Sequence, residues 1–111
     1  MKILIPVSKY RPVSEEVLES ILVQGIEPEI VDCTFDPEIP KRKRIAMAKT
    51  RCKEVGLASE EDYVAINDSD LHHLYKDNFT KAQNFLKEYP AFGAVSLSRA
   101  TYGVSETFYH K

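Results

Sequence analysis

"KILIPVS", Lys2–Ser8, places Ile3, Leu4, Ile5 and Val7 side by side with little polar interruption. A strand with one wet face alternates polar and apolar residues. An almost unbroken apolar run reads instead as a strand covered on both faces, at the centre of a parallel sheet. The next stretch, "SEEVLESILVQG", has the marks of a helix. Ser14 is a fitting N-cap, Glu15 and Glu16 put negative charge in the first turn, Val17, Leu18, Ile21 and Leu22 share a face, and Gly25 supplies a stop. "EPEIVDC" then gives a second strand, Glu29–Cys33, with β-branched residues at its centre. Strand, helix and strand make a βαβ unit, for which a right-handed crossover is expected.

Between Thr34 and Pro40 two prolines and a lack of periodicity mark a loop. Helical pattern resumes in "KRKRIAMAKTRCKEVG", where Ile45, Ala48, Cys52 and Val55 share a face and Gly56 is expected to end the helix. A third strand is expected over Tyr63–Asn67. "DNFTKAQNFLKEYP" then sets Phe79, Ala82, Phe85, Leu86 and Tyr89 along a helix closed by Pro90. "FGAVSLS" reads as a fourth strand. The weakly alternating tail "GVSETFYHK" reads as a fifth, at an edge or paired with another chain. No repeat, low-complexity tract or Gly/Ser-rich linker divides the sequence, so residues 1–111 are expected to form a single domain. The fold class is α/β, a Rossmann-like, mostly parallel sheet flanked by helices. Such sheets bind ligands beyond the carboxyl ends of their strands, where strand order reverses. Ser8, Asp32, Asp68 and Asp70 all fall at that end.

Composition bounds the partners. At 111 residues the chain can bury a core without disulfides or a structural metal. Fifteen Lys and Arg against 17 Asp and Glu give a net charge of -2, which argues against a general affinity for nucleic acid or anionic membranes. The apolar start, Met1–Val7, is far shorter than the roughly 20 residues of a membrane span and too short for a secretory core. Cys33 and Cys52 lack metal-type spacing. A cytoplasmic protein with two free thiols is the expectation.

In "DYVAINDSDLHH", Asp62–His73, an apolar run ends in two carboxylates one residue apart. Past a strand end, Asp68 and Asp70 can project toward one point, and a divalent cation would relieve their repulsion. Hard oxygen ligands suit Mg²⁺ or Mn²⁺, ions that keep positions open for water and substrate phosphates. The competing reading makes Asp68 and Ser69 turn formers and Asp70 a cap, through local hydrogen bonds. His72 and His73 read as surface or supporting residues, since adjacent side chains diverge and imidazole prefers softer ions. "KRKR", Lys41–Arg44, opens its helix against the dipole, an arrangement that a phosphate bound near Lys41 or Arg44 would compensate.

Taken in order, "ILIPVSKYRP…VLESILVQ", a strand ending in "VDC", a basic helix, "EDYVAINDSD", and a helix followed by "PAFGAVSLS" resemble the nucleotide-binding half of a GT-A glycosyltransferase, most closely the family-2 type. There the pieces run roughly "IIPVYN", "LESLLxQ", "DYILFLDxD" and "PxVGAVxG". The resemblance spans about residues 2 to 98. It implies a nucleotide-diphosphate sugar, such as a UDP- or GDP-sugar, held with Mn²⁺ or Mg²⁺. Pro6, Val7 and Ser8 would line the base and ribose pocket, Asp32 would contact the base, and Arg44 would lie near the phosphates. Asp70 would ligate the metal directly, with Asp68 nearer the ribose or a metal-bound water.

Two departures stand out. "VDCTFD" replaces the usual "VDDGS", and the acceptor-binding region that supplies a carboxylate base in the family has no counterpart in these 111 residues. Glu106 is the candidate substitute for the base and His110 for a further metal ligand. The expected function is therefore a metal-dependent glycosyltransferase whose acceptor site is completed by a homodimer or a second chain. One alternative is a non-catalytic GT-A-like binding or scaffold protein. A lower-ranked one is a Mg²⁺-dependent phosphoryl or nucleotidyl enzyme, because aspartate pairs of this kind also occur there, though usually after the first strand.

Overall fold

The computed structural model describes residues 1–95, together with the backbone of residues 99–100 and 107–108. The chain divides into two compact units at Lys76 and Asp77.

The first unit is built on a parallel three-stranded sheet. Strand β1 (Lys2–Val7) lies between β2 (Glu29–Asp32) and β3 (Val64–Ile66). Val7 is level with Asp32, and Leu4 is level with Ile66. The central strand is the one with the unbroken apolar run, and Ile3, Leu4 and Ile5 are fully buried. Helix α1 (Glu15–Leu22) joins β1 to β2, and α2 (Lys41–Ala58) joins β2 to β3. The chain thus steps from β1 to one neighbour and then back across to the other. With right-handed crossovers, the two helices cover opposite faces. Burial agrees with this arrangement. On one face Leu4, Val31, Cys33 and Cys52 form a core flanked by Phe35, Ala48 and Val55. Alternation turns Ile3 and Ile5 to the other face, and α1 contributes its own buried pair, Val17 and Ile21.

Local signals account for most boundaries. The Ser14 hydroxyl accepts the Val17 amide and starts α1, and Gly25 turns the chain at φ +82°. Gly56 behaves differently from expectation, because α2 runs through it to Ala58. A Cβ on Gly56 would sit 2.8 Å from Cγ1 of Val64, so the glycine permits a close helix-to-strand approach instead of ending the helix. Ile45, expected on the buried face of α2, is 46 % exposed. In a βαβ unit the helix starts beyond the carboxyl edge of the sheet, and its first turns have no strand beneath them. Leu22 is likewise half exposed at the end of α1.

The second unit holds α3 (Asn78–Glu88), with Phe79 buried, and a pair of short antiparallel strands, β4 (Arg99–Ala100) and β5 (Thr107–Phe108). Phe85 and Tyr89, expected inside the helix face, are exposed and pack on one another at 5.0 Å between ring centres. Of the expected fourth strand, Phe92–Val95 are not in a strand, and residues 96–98 lie outside the described residues. Among the described residues no helix is long and apolar enough to cross a membrane.

Candidate functional site at the carboxyl edge of the sheet

Strand order 2-1-3 reverses at β1, so a crevice is expected past the ends of β1 and β3. The segment after β3 is ordered by Asn67. Its backbone amide donates to the Leu4 carbonyl at 2.9 Å, holding it to the central strand. Its side chain is buried and fully used. Nδ2 donates to the carbonyls of Asp68 (3.0 Å) and Leu71 (2.9 Å), and Oδ1 accepts from Nε2 of His73 at 2.6 Å. The Leu71 amide returns to the Asp68 carbonyl at 3.2 Å, closing a turn with Ser69 and Asp70 at its centre.

This arrangement bears on the turn reading of the aspartate pair. If Asp68 and Asp70 were there to form the turn, their side chains would carry its local hydrogen bonds. Asn67 and the backbone carry them, and both carboxylates are exposed with no hydrogen bond or ion pair among the described residues. Carboxylate oxygens are the donor type that hard divalent cations take. Among the described residues no three His, Cys, Asp or Glu side chains come together.

His73 belongs to the support. Facing the Asn67 carbonyl oxygen, its Nε2 carries the proton and donates, and its backbone amide donates to the Ser20 hydroxyl of α1 at 3.0 Å. Burial holds its pKa below the usual histidine value, and the nearby His72 adds to this. His72 itself is exposed.

At the end of β2, Oδ1 of Asp32 accepts both the Thr34 hydroxyl (2.7 Å) and the Thr34 amide (3.0 Å). These bonds hold the exposed carboxyl below the usual aspartate range, with a smaller contribution from the Arg51 charge. The Lys9 amide donates to Oγ1 of Thr34 at 3.1 Å, which ties the loop after β1 to the loop after β2. Ser8 sits at the same level, its hydroxyl accepting the amides of Tyr10 and Arg11. Pro6 and Val7 are half-buried at the end of β1. Arg44 spends its Nε on the Ile39 carbonyl at 3.0 Å, which orients the guanidinium and leaves its terminal nitrogens to other partners. Glu106 and His110 lie outside the described residues.

Sequence reasoning misses four residues. Asn67 reads only as the last strand residue, although a buried polar side chain has to find partners. Arg51 donates to the Asp32 carbonyl at 2.7 Å and lies over the Phe35 ring, a role that emerges only once β2 and α2 are side by side. Lys49 and Lys53, four apart on α2, line an open groove of about 570 Å³ together with Gly56, Leu57, Val64, Ile66 and Asp68. That groove does not include Ser8, Asp32, Arg44 or Asp70. Helix α2 as a whole carries seven Lys and Arg against a single Glu, in a chain of net charge -2. Compared with family models, with curated proteins and with solved structures, the chain finds no match.

Proposed function

We propose that the chain is the nucleotide-binding half of a metal-dependent glycosyltransferase, taking a UDP- or GDP-sugar with Mn²⁺ or Mg²⁺. The observation that carries this reading is the turn after β3: Asn67 and the backbone close it, which leaves both aspartates unengaged at the carboxyl edge of the sheet. Asp70 is the metal ligand, and Asp68 lies nearer the ribose or a metal-bound water. When bound, the cation neutralises charge growing on the departing nucleoside diphosphate. Arg44, oriented by Ile39, adds charge-assisted hydrogen bonds to the same phosphates. Asp32, kept ionised by Thr34, accepts from the base, and the backbone of Pro6, Val7 and Ser8 lines the base and ribose. An acceptor hydroxyl attacking the anomeric carbon needs a base, for which Glu106 is the candidate, with His110 a further metal ligand. A second copy or a partner chain completes the acceptor side.

The test is release of UDP or GDP from the corresponding sugar nucleotide in the presence of Mn²⁺, followed chromatographically. Turnover that disappears in Asp70→Ala supports the proposal. Metal-dependent binding with no product favours the scaffold alternative, and release of inorganic phosphate or pyrophosphate favours the phosphoryl or nucleotidyl one.

A further inference from the structure

The first unit contains a pair of nucleophiles that the proposed chemistry does not use. Cys33 follows β2 and Cys52 lies in the second half of α2. Nineteen positions apart in sequence, they meet in the same core cluster with both thiols free. Within that cluster Sγ of Cys33 reaches the carbonyl of Ala48, one helical turn before Cys52, at 3.9 Å. Phe35, Ala48 and Val55 enclose the pair. The two are not equivalent. Cys52 is fully buried, while Cys33, next to Thr34 in sequence, is 7 % exposed.

Their electrostatics differ in the same direction. Burial pushes both thiols up, and the Arg51 charge works against it at both. Cys52 is pushed up to about 11, first by burial and then by the charge of its neighbour. Proximity promotes bond formation within the pair, while burial excludes bulky oxidants and slows the reaction.

We propose that Cys33 and Cys52 are a latent redox pair that closes to an intramolecular disulfide when hydrogen peroxide is the oxidant, with Cys33 reacting first. The Cys33 thiolate attacks a peroxide oxygen and breaks the O–O bond, giving the sulfenic acid, and the hydroxide released takes a proton to become water. Cys52 then attacks the Cys33 sulfur, the S–O bond breaks, and a second water leaves with the thiol proton. Overall the two thiols lose two electrons and two protons, and one peroxide becomes two waters. The new bond fastens the residue next to Asp32 to helix α2. The inference stands whether or not the chain binds a nucleotide.

The test is peroxide treatment of the full chain under native conditions, followed by alkylation in denaturant and mass spectrometry. The expected product is monomeric protein lighter by two hydrogens, with retained helical circular dichroism and a linked peptide pair containing Cys33 and Cys52; dithiothreitol restores both thiols. With dimedone present, Cys52→Ala accumulates the adduct on Cys33, and Cys33→Ala gives none on Cys52. Two alkylatable thiols after treatment, only intermolecular disulfides, or only sulfinic acid would overturn the pairing. An adduct on Cys52 in place of Cys33 would overturn the order of attack. The wild-type measurement decides the pairing even if a variant fails to fold.

Discussion

Oδ1 of Asn67 and Nε2 of His73 lie 2.6 Å apart, and through this contact the turn that presents Asp68 and Asp70 is anchored to the rest of the first unit. Asn67 holds two carbonyls with its amide, and His73 reaches α1 through the Ser20 hydroxyl. Asn67→Ala removes all three side-chain bonds and leaves their part-buried partners without them. At about 1 kcal/mol per bond, a loss of about 2–3 kcal/mol is expected in urea unfolding. Metal-dependent binding of UDP or GDP should fall at least about tenfold, although Asn67 touches no ligand. Full binding by a destabilised Asn67→Ala protein would show that the aspartates do not depend on this turn.

Two groups give the stability a pH dependence. His73 has its folded-state pKa lowered by burial, so the unfolded chain takes up the proton first and stability falls as pH drops below the ordinary histidine value of 6.5. Asp32 has its pKa lowered by Thr34, so its contribution is present above 3.8 and is lost as pH falls through the lower folded value. Unfolding midpoints measured from pH 8 downward should decline first in the histidine window. His73→Gln, which keeps an N–H donor for Asn67, should flatten that first decline and leave the acidic one in place. An unchanged profile in His73→Gln would assign the first decline to another group.

The Thr34 hydroxyl is the largest cause of the Asp32 shift. Thr34→Val keeps the shape and the amide donor but deletes that bond. Carbon-13 NMR titration should find the Asp32 carboxyl moved up toward the usual aspartate range. No movement would mean that the hydroxyl bond is not kept in solution.

Arg44 is expected to act on phosphates. Arg44→Ala should weaken UDP by roughly tenfold to a hundredfold, the worth of one hydrogen bond to a charged group, and leave uridine almost unaffected. Arg44→Lys should recover only part of the loss, since a lysine cannot reproduce both the Ile39 contact and the planar fork. Equal loss for UDP and uridine would place Arg44 in the loop's structure alone.

Those parts of the fold that depend on local pattern could be read from the sequence. The run at Ile3–Ile5, the Ser14 cap and the turn at Gly25 lie in short windows and correspond to observed elements. Features decided by contacts between distant segments could not be read. Gly56 looks like a helix stop until Val64 is found 2.8 Å from where its Cβ would be. Ile45 fits the apolar face of α2, yet periodicity says nothing about how far a sheet extends beneath a helix. For the site, the position of Asp68 and Asp70 just past a strand end was visible from residue types and spacing, although β3 itself is exposed at Val64 and Ile66. The reason their carboxylates stay unengaged was not, because it rests on Asn67 and its bonds to Leu4, Leu71 and His73.

Whether the aspartate pair holds a nucleoside diphosphate through a cation is read by calorimetric titration of the purified chain with UDP and GDP, each run with Mn²⁺ and with EDTA, on wild type and on Asp70→Ala. Binding to at least one of the two is expected to require Mn²⁺ and to be lost in Asp70→Ala, while circular dichroism and the unfolding midpoint stay the same. Binding that is unaltered by EDTA or by the substitution, or no binding of either nucleotide by the folded protein, would contradict that role of the pair.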